Sequence, residues 1–183
     1  MVKYKEKKET FKEGDFIEMK PKRFSSYPIK IKRVRRPRDP QSSDAGYLPH
    51  YATPQSAGAD LCADIDEAIL LQPGQRCSVP TGWALELPGP ETVALVFARS
   101  GLAVRQGLCL TNGVGVIDAD FRGEICVLLS NHGHEDICIE PGQRIAQIVF
   151  LPIRRASFEV VEDLTETERG SGGFGSTGLG SQK

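Results

Sequence analysis

Apolar and basic side chains alternate from Ile29 to Val34, and a period of two predicts a strand there. From Ala59 onward short apolar segments take turns with Gly/Pro breaks. They predict strands over residues 59–63, 75–79, 82–87, 92–98, 107–110, 124–130, 136–139 and 143–151. Pro73-Gly74, Pro88-Gly89-Pro90 and Pro141-Gly142 punctuate the series. Many short strands at this spacing predict an all-β fold, a sandwich or a barrel. The string PGQR occurs at 73–76 and again at 141–144, and each copy is a hairpin signal. No longer period accompanies the two copies, so a repeat architecture is not expected. Only Ser100 to Gln106 has the pattern of a short helix, and Trp83, in an alternating strand, belongs in the core.

The ends of the chain lack this pattern. Residues 1–27 are basic and aperiodic and read as a disordered arm. Residues 35–47 carry Pro, Asp, Ser and Gly and read as a loop or insertion. The folded body is expected over 28–164, followed by a flexible Gly-rich tail over 165–183.

Composition narrows the class. The 183 residues, 20.0 kDa, suit one domain with appendages, and 19 Gly plus 12 Pro argue against a helical bundle. The net charge of −1 conceals an asymmetry: residues 1–38 carry +9 and the rest −10. The basic arm reads first as a solvated tail, with an address or a nucleic-acid contact as the functional alternative. No apolar run approaches the ~18 residues that cross a membrane, and the N-terminus has no secretory pattern. The five cysteines are odd in number, form no C-x-x-C, and four lie in apolar stretches. They are expected to be reduced and mostly buried, as inside a cell, in the cytoplasm first, with the nucleus as the alternative.

Five segments carry candidate chemistry. Asp60, in Ser56-Ala57-Gly58-Ala59-Asp60, opens a strand and can reach a metal-bound water. Arg99, Ser100 and Gly101 stand where a strand meets the short helix, either as an anion site or with Ser100 as a plain N-cap. In residues 111–124, Asn112 can read a base edge, since an amide both donates and accepts, and Asp118 can take a proton. The plain alternatives are an Asn112-Gly113 hairpin turn and an acidic loop tip. Gln147 is a polar residue in an apolar strand, where a satisfied core amide is the usual finding. The tail runs RGSGGFGSTG from Arg169, and neither a dinucleotide fingerprint nor a P-loop fits it. Arg169, Phe174, Gly175, Ser176 and Thr177 nevertheless offer one cation, one ring, a glycine amide and two hydroxyls to an anionic, planar ligand. His132-Gly133-His134 reads as a surface turn, because one short loop cannot surround a metal.

In order, these segments resemble the five motifs of the trimeric dUTP diphosphatase (dUTPase) family. They are Ala57-Gly58-Ala59-Asp60-Leu61, Arg99-Ser100-Gly101, Gly115-Val116-Ile117-Asp118-Ala119-Asp120-Phe121, Gly142-Gln143-Arg144-Ile145-Ala146-Gln147 and the run from Arg169 to Gly178. The resemblance covers about Ile29 to Gly178. It implies a jelly-roll-like β-barrel, a homotrimer with sites at subunit interfaces, Mg²⁺ as cofactor, and hydrolysis of dUTP to dUMP and diphosphate. That reaction lowers dUTP and supplies dUMP for thymidylate synthesis.

Carried over by residue, the resemblance makes Asp118 the activator of water. Asn112 and the Gly115 backbone read uracil; Arg99, Ser100, Gly101 and Gln147 hold phosphates. Asp60 supports a hydrated metal. Arg169, Gly175, Ser176 and Thr177 close on the terminal phosphate while Phe174 stacks on the base. The family usually has Tyr where this chain has Phe121, so the ring can still crowd a 2′-hydroxyl but the phenol oxygen is missing. The related dCTP deaminases place a Glu where Leu128 aligns and read Arg-Ser-Ser where this chain has Arg99-Ser100-Gly101, which argues against deamination. A non-catalytic nucleotide-binding module is the third reading, and the intact Asp118 and tail argue against it.

Overall fold

The computed structural model describes residues 28–35 and 47–173. The first compact unit ends at Pro152 and the second begins at Ile153. The first unit is built from strands β1 (Lys30–Arg33), β2 (His50–Tyr51), β3 (Ala59–Cys62), β4 (Ile69–Leu71), β5 (Arg76–Pro80), β6 (Trp83–Glu86) and β7 (Thr92–Ala98). Helix α1 (Ser100–Gln106) follows, then β8 (Leu108–Leu110), β9 (Gly115–Ile117), β10 (Cys126–Asn131), β11 (Ile137–Ile139) and β12 (Arg144–Pro152). The ladders of β2-β3-β12-β7-β9, β5-β10-β8, β1-β6 and β11-β4 are all antiparallel. The all-β expectation holds, with one short helix.

Alternation decides which side chains enter the core. Leu61, Val79, Ile125, Val127, Leu129, Ile139, Ile145 and Ile148 are fully buried, each stabilising by about 1.5–3 kcal/mol relative to exposure. Asn131 is buried with them but satisfied: Nδ2 donates to the carbonyls of Leu71 (2.9 Å) and Glu135 (2.8 Å), and Oδ1 accepts from Gly133 N (2.8 Å). Trp83 is core, as expected, with its indole N–H on the Tyr47 carbonyl at 3.0 Å and the Arg33 guanidinium over its ring.

Three short strands, β2, β4 and β9, fall outside the predicted series. β9 lies within a Gly-rich motif, where turn residues mask its pattern. The hairpin expectations are overturned. The two PGQR strings are turns of one design: Gly74 and Gly142 have φ of 78° and 75°, and the Gln side chains accept from the backbone N of Gln72 and Glu140. Yet β4 pairs with β11 and β5 with β10, so neither turn joins paired strands. The Asn112-Gly113 turn likewise leads from β8, paired with β10, to β9, paired with β7. The expectation of mostly buried cysteines also fails. No disulfide forms among them, but only Cys62 is buried, while Cys126 and Cys138 are exposed. Their neighbours Val127, Ile137 and Ile139 point inward, so the same period of two turns these thiols out.

Candidate active site

β12 contains a β-bulge that organises the polar face of the five-stranded sheet. Arg144 stands opposite Cys62, but Ala146 stands opposite Leu61 and Gln147 opposite Asp60. Residues three apart in a regular strand face opposite ways. The extra residue at the bulge puts Arg144 and Gln147 on the same face as Asp60, and Ile145 and Ala146 both in the core. Arg99 follows β7 with extended backbone (φ −89°, ψ 124°) and joins that face.

Asp60 is buried and holds both arginines. Its Oδ1 is 3.0 Å from Arg99 Nε, and its Oδ2 accepts from Arg144 Nη1 at 2.9 Å. Arg99 Nη1 also donates to the Arg144 carbonyl at 3.1 Å. Gln147 Nε2 donates to Ala98 O at 3.1 Å, and its Oε1 lies over Gly58. Ser100 is the first residue of α1 rather than its cap. The N-cap is Arg99, and no side chain caps the helix, so the exposed Ser100 hydroxyl is not spent there. Gly101, next in the helix, lies against the Arg105 guanidinium. One carboxylate and two guanidiniums leave this face with a net positive charge suited to phosphate oxygens. The Cys62 thiol beside them is pushed up mainly by burial and next by Asp60, with the two arginines opposing.

A second feature lies across the sheet. A cavity of about 170 Å³ is lined by Leu110, Asn112, Gly115, Val116, Leu128 and their neighbours, a slot whose surface is shared about equally between polar and apolar atoms, with one side-chain amide among them. Gly113 has φ 71°, and a side chain on Gly115 would press on Val96 at 3.0 Å, so the two glycines let the turn lie close to β7. Asp118, exposed, follows β9. Its carbonyl accepts from Phe121 N at 3.2 Å, and Arg122 Nη1 braces the loop through the carbonyls of Ala119 (2.8 Å) and Phe121 (3.0 Å). The Phe121 ring lies over Gly123.

The structure therefore brings Asp60, Arg99, Ser100 and Gln147 together, and Asn112, Gly115, Asp118 and Phe121 into one loop system. It does not bring the two groups together within one chain. Ile117 pairs with Ala94, five residues before Arg99, which is about 16 Å at ~3.3 Å per residue, and Asp118 steps further away. Arg169 belongs to the second compact unit, where its Nε donates to Gly172 O at 2.9 Å. Phe174, Gly175, Ser176 and Thr177 lie outside the described residues. The sequence reading missed Arg144. The signal for it was the apolar doublet Ile145-Ala146, which breaks the alternation and marks the bulge.

The donor set bears on a metal. Among the described residues no group of three or more His, Cys, Asp or Glu is placed to hold one, His132 and His134 included, and both Asp60 oxygens already face guanidiniums. The chain fits a cation only when phosphates and water supply most of the ligands, with Asp60 reaching it through water.

Comparison with known proteins follows the same lines. Residues 44–178 match the dUTPase family model. The deoxyuridine 5'-triphosphate nucleotidohydrolase of Desulfitobacterium hafniense (strain DCB-2) is 50% identical over 155 residues, 85% of this chain and 99% of that protein. The enzyme of the same name from Anaplasma marginale is 54% identical over 132 residues, 72% of this chain and 88% of that protein. Among solved structures, a variant of the Staphylococcus bacteriophage 80alpha dUTPase with dUpNHpp aligns with TM-score 0.70 and 25% identity, covering 84% of this chain and all of that one. The all-β body with its Gly-rich motifs is that of a nucleotide hydrolase of the dUTPase type. The chain belongs to the dUTPase family.

Proposed function

We propose that the chain hydrolyses dUTP to dUMP and diphosphate: water adds across the bond between the α and β phosphates, and its proton passes to Asp118. The observation that carries this reading is the slot beneath Asn112 and Gly115, with Asp118 on the loop that follows. Its volume suits a single pyrimidine ring, and one amide can pair with the ring's donor and acceptor. Leu128 lines that slot where a deaminase would need a carboxylate. Phosphates go to Arg99, Ser100, Gly101 and Gln147. Arg169, Gly175, Ser176 and Thr177 close over the far end of the ligand, and Phe174 stacks on the base. Mg²⁺ brought by the triphosphate would supply charge neutralisation along the phosphates, and Asp60, with both oxygens on guanidiniums, would reach it only through water.

A homotrimer with sites shared between subunits answers the separation of Asp118 from Arg99 along β7, because a neighbour's phosphate face can meet this chain's loop. Two further observations support assembly. Phe158, Val160 and Leu164 of the second unit are 95%, 99% and 86% exposed, apolar side chains that a neighbouring copy can cover. The body carries an apolar groove of about 810 Å³ lined by Ile31, Tyr51, Leu85, Ile148 and Phe150 among others. Light scattering should give about 60 kDa, three copies of 20.0 kDa, and a fully active monomer would sink the shared site.

The reaction is tested by chromatography of the products with each nucleoside triphosphate. The expected result is dUMP and diphosphate from dUTP, stimulated by Mg²⁺ and suppressed by chelator. Release of dUDP and orthophosphate would refute the assigned cleavage, and ammonia from dCTP would favour the deaminase.

A further inference from the structure

Arg144 is the charged residue of the phosphate face that the sequence reading left without a task. We propose that Arg144 is a second phosphate-binding arginine of this site, and that Asp60 is the positioning residue that spaces Arg99 and Arg144 for it. The inference rests on the reading of this face as the phosphate end, and deepens it.

Three observations carry it. The bulge in β12 gives up regular pairing, and its effect is to turn Arg144 to the side of Asp60 and Gln147. Without it Arg144 would face the core side, which the sequence fills with Ile145 and Ala146 instead. Next, charge balance does not require Arg144. The buried Asp60 carboxylate is already matched by Arg99, whose side chain is 27% exposed and makes a second bond to the Arg144 carbonyl. The Arg144 side chain is 46% exposed against 27% for Arg99, so Arg99 is the more enclosed partner of the buried carboxylate and Arg144 the one left open to solvent. Finally, a guanidinium has five N–H donors, and the Arg144 side chain directs one bond, at 2.9 Å, to Asp60 among the described residues. The remaining donors sit on a solvent-open group beside Gln147 and Arg99. Each oxygen of Asp60 takes a different guanidinium, so one rigid, buried carboxylate fixes the separation of two forks. Adjacent phosphate groups, with oxygens at several places, are the ligand chemistry that two spaced forks recognise best.

The test measures binding by calorimetry to the full-length protein, with a non-hydrolysable α,β-imido analogue of dUTP and with deoxyuridine, each in Mg²⁺ and in chelator. Wild type should bind the analogue far more tightly than deoxyuridine; if it does not, the phosphate-end reading itself fails. Arg144→Gln should weaken the analogue about tenfold to a hundredfold in both buffers and leave deoxyuridine unchanged, as expected for one lost charge-assisted contact. Arg144→Lys should restore part of the loss, keeping the charge but not the fork. Asp60→Asn should weaken the analogue in chelator as well as in Mg²⁺, because it loosens the arginines. Unchanged analogue affinity in Arg144→Gln, or an equal loss for deoxyuridine in both Arg144 variants, overturns the role of Arg144. An Asp60→Asn defect that vanishes in chelator overturns the spacing role, since Asp60 would then act only through the metal.

Discussion

Gly58 lies against the amide of Gln147: a Cβ built on it would stand 2.7 Å from Oε1 and 3.2 Å from the Gln147 Cβ. The contact keeps the amide folded onto the sheet, with its Nε2 on the Ala98 carbonyl. Gly58→Ala should push the amide off this position and leave the core intact, because the atom nearest the new Cβ is the free end of a side chain. The expected result is a kcat/KM for dUTP lower by about tenfold or more, the worth of a lost contact to a charged phosphate, with a melting temperature close to wild type. A large drop in melting temperature with full residual activity would show that Gly58 serves folding instead.

Asp118→Asn removes the proposed base while keeping the shape of the loop, whose braces use backbone carbonyls and Arg122 rather than the Asp118 carboxylate. Losing a general base costs about 10²–10⁴ in rate. The variant should bind the imido analogue as wild type does and turn over dUTP that much more slowly. Near-normal kcat would remove Asp118 from the mechanism.

What the sequence disclosed and what it hid divide along physical lines. Helix α1 was legible to the residue, because its pattern is local and Gly107, at φ 71°, closes it. The PGQR and Asn112-Gly113 turns were legible as turns, but their strand partners were not. Pairing of β4 with β11, or of β8 with β10, is set by packing between distant segments that a local signal cannot report. Asp60 illustrates the same limit at the site. Its motif marks it as a candidate, yet only the folded sheet shows that it holds Arg99 and Arg144.

Gly107 and Gly74 separate two costs of a side chain. Both have positive φ, 71° and 78°. A Cβ at Gly74 would meet nothing within 4 Å, whereas one at Gly107 would stand 2.5 Å from Gly133 N and 2.8 Å from its Cα. Gly74→Ala should lose only the left-handed backbone cost of about 1–2 kcal/mol. Gly107→Ala should lose more, since backbone atoms must give way, and it should loosen α1 from the 132–133 turn. Urea unfolding at fixed protein concentration compares them, and equal losses would show that the approach at Gly133 relaxes freely.

The thiols should report the alternation of β10 and β11. Cys126 and Cys138 are exposed, but both are raised above the usual thiol range. Burial acts first at Cys126, with Glu124 next; at Cys138 the main cause is its hydrogen bond to the Glu140 carboxylate at 3.1 Å. A raised pKa means less thiolate at a given pH, so alkylation at neutral pH should lag behind that of free cysteine and catch up only well above pH ~8.5. Glu140→Gln should speed labelling of Cys138 and leave Cys126 unchanged. Cys62, buried and also raised, should stay unlabelled until the protein unfolds. Peptide mass spectrometry after timed alkylation reads all three, and early labelling of Cys62 would contradict the packing of β3.

Phe121 sets the last expectation. Its ring is 41% exposed and lies over Gly123, where a Cβ would come within 2.6 Å of Cζ and 3.0 Å of Cε2. The loop is braced beside it by Arg122 and by Phe121 N on the Asp118 carbonyl. The ring therefore rests over the Gly123 backbone, three residues from the proposed base, where in the proposed reading it crowds a 2′-hydroxyl. An apolar surface that leaves an isosteric hydroxyl unpaired rejects it by about 10². Because a 2′-hydroxyl is larger than the hydrogen it replaces, the part of the dUTP over UTP preference in kcat/KM that depends on this ring should reach at least about that order. Phe121→Leu, which removes the flat face, should lower the preference by raising the relative rate on UTP. Gly123→Ala, which displaces the ring without changing it, should lower it in the same direction. The two substitutions act on the ring by different routes, so agreement between them assigns discrimination to its position. If kcat/KM for dUTP and UTP moves in parallel in both variants, the ring contributes to nucleotide binding in general and the sugar is discriminated elsewhere.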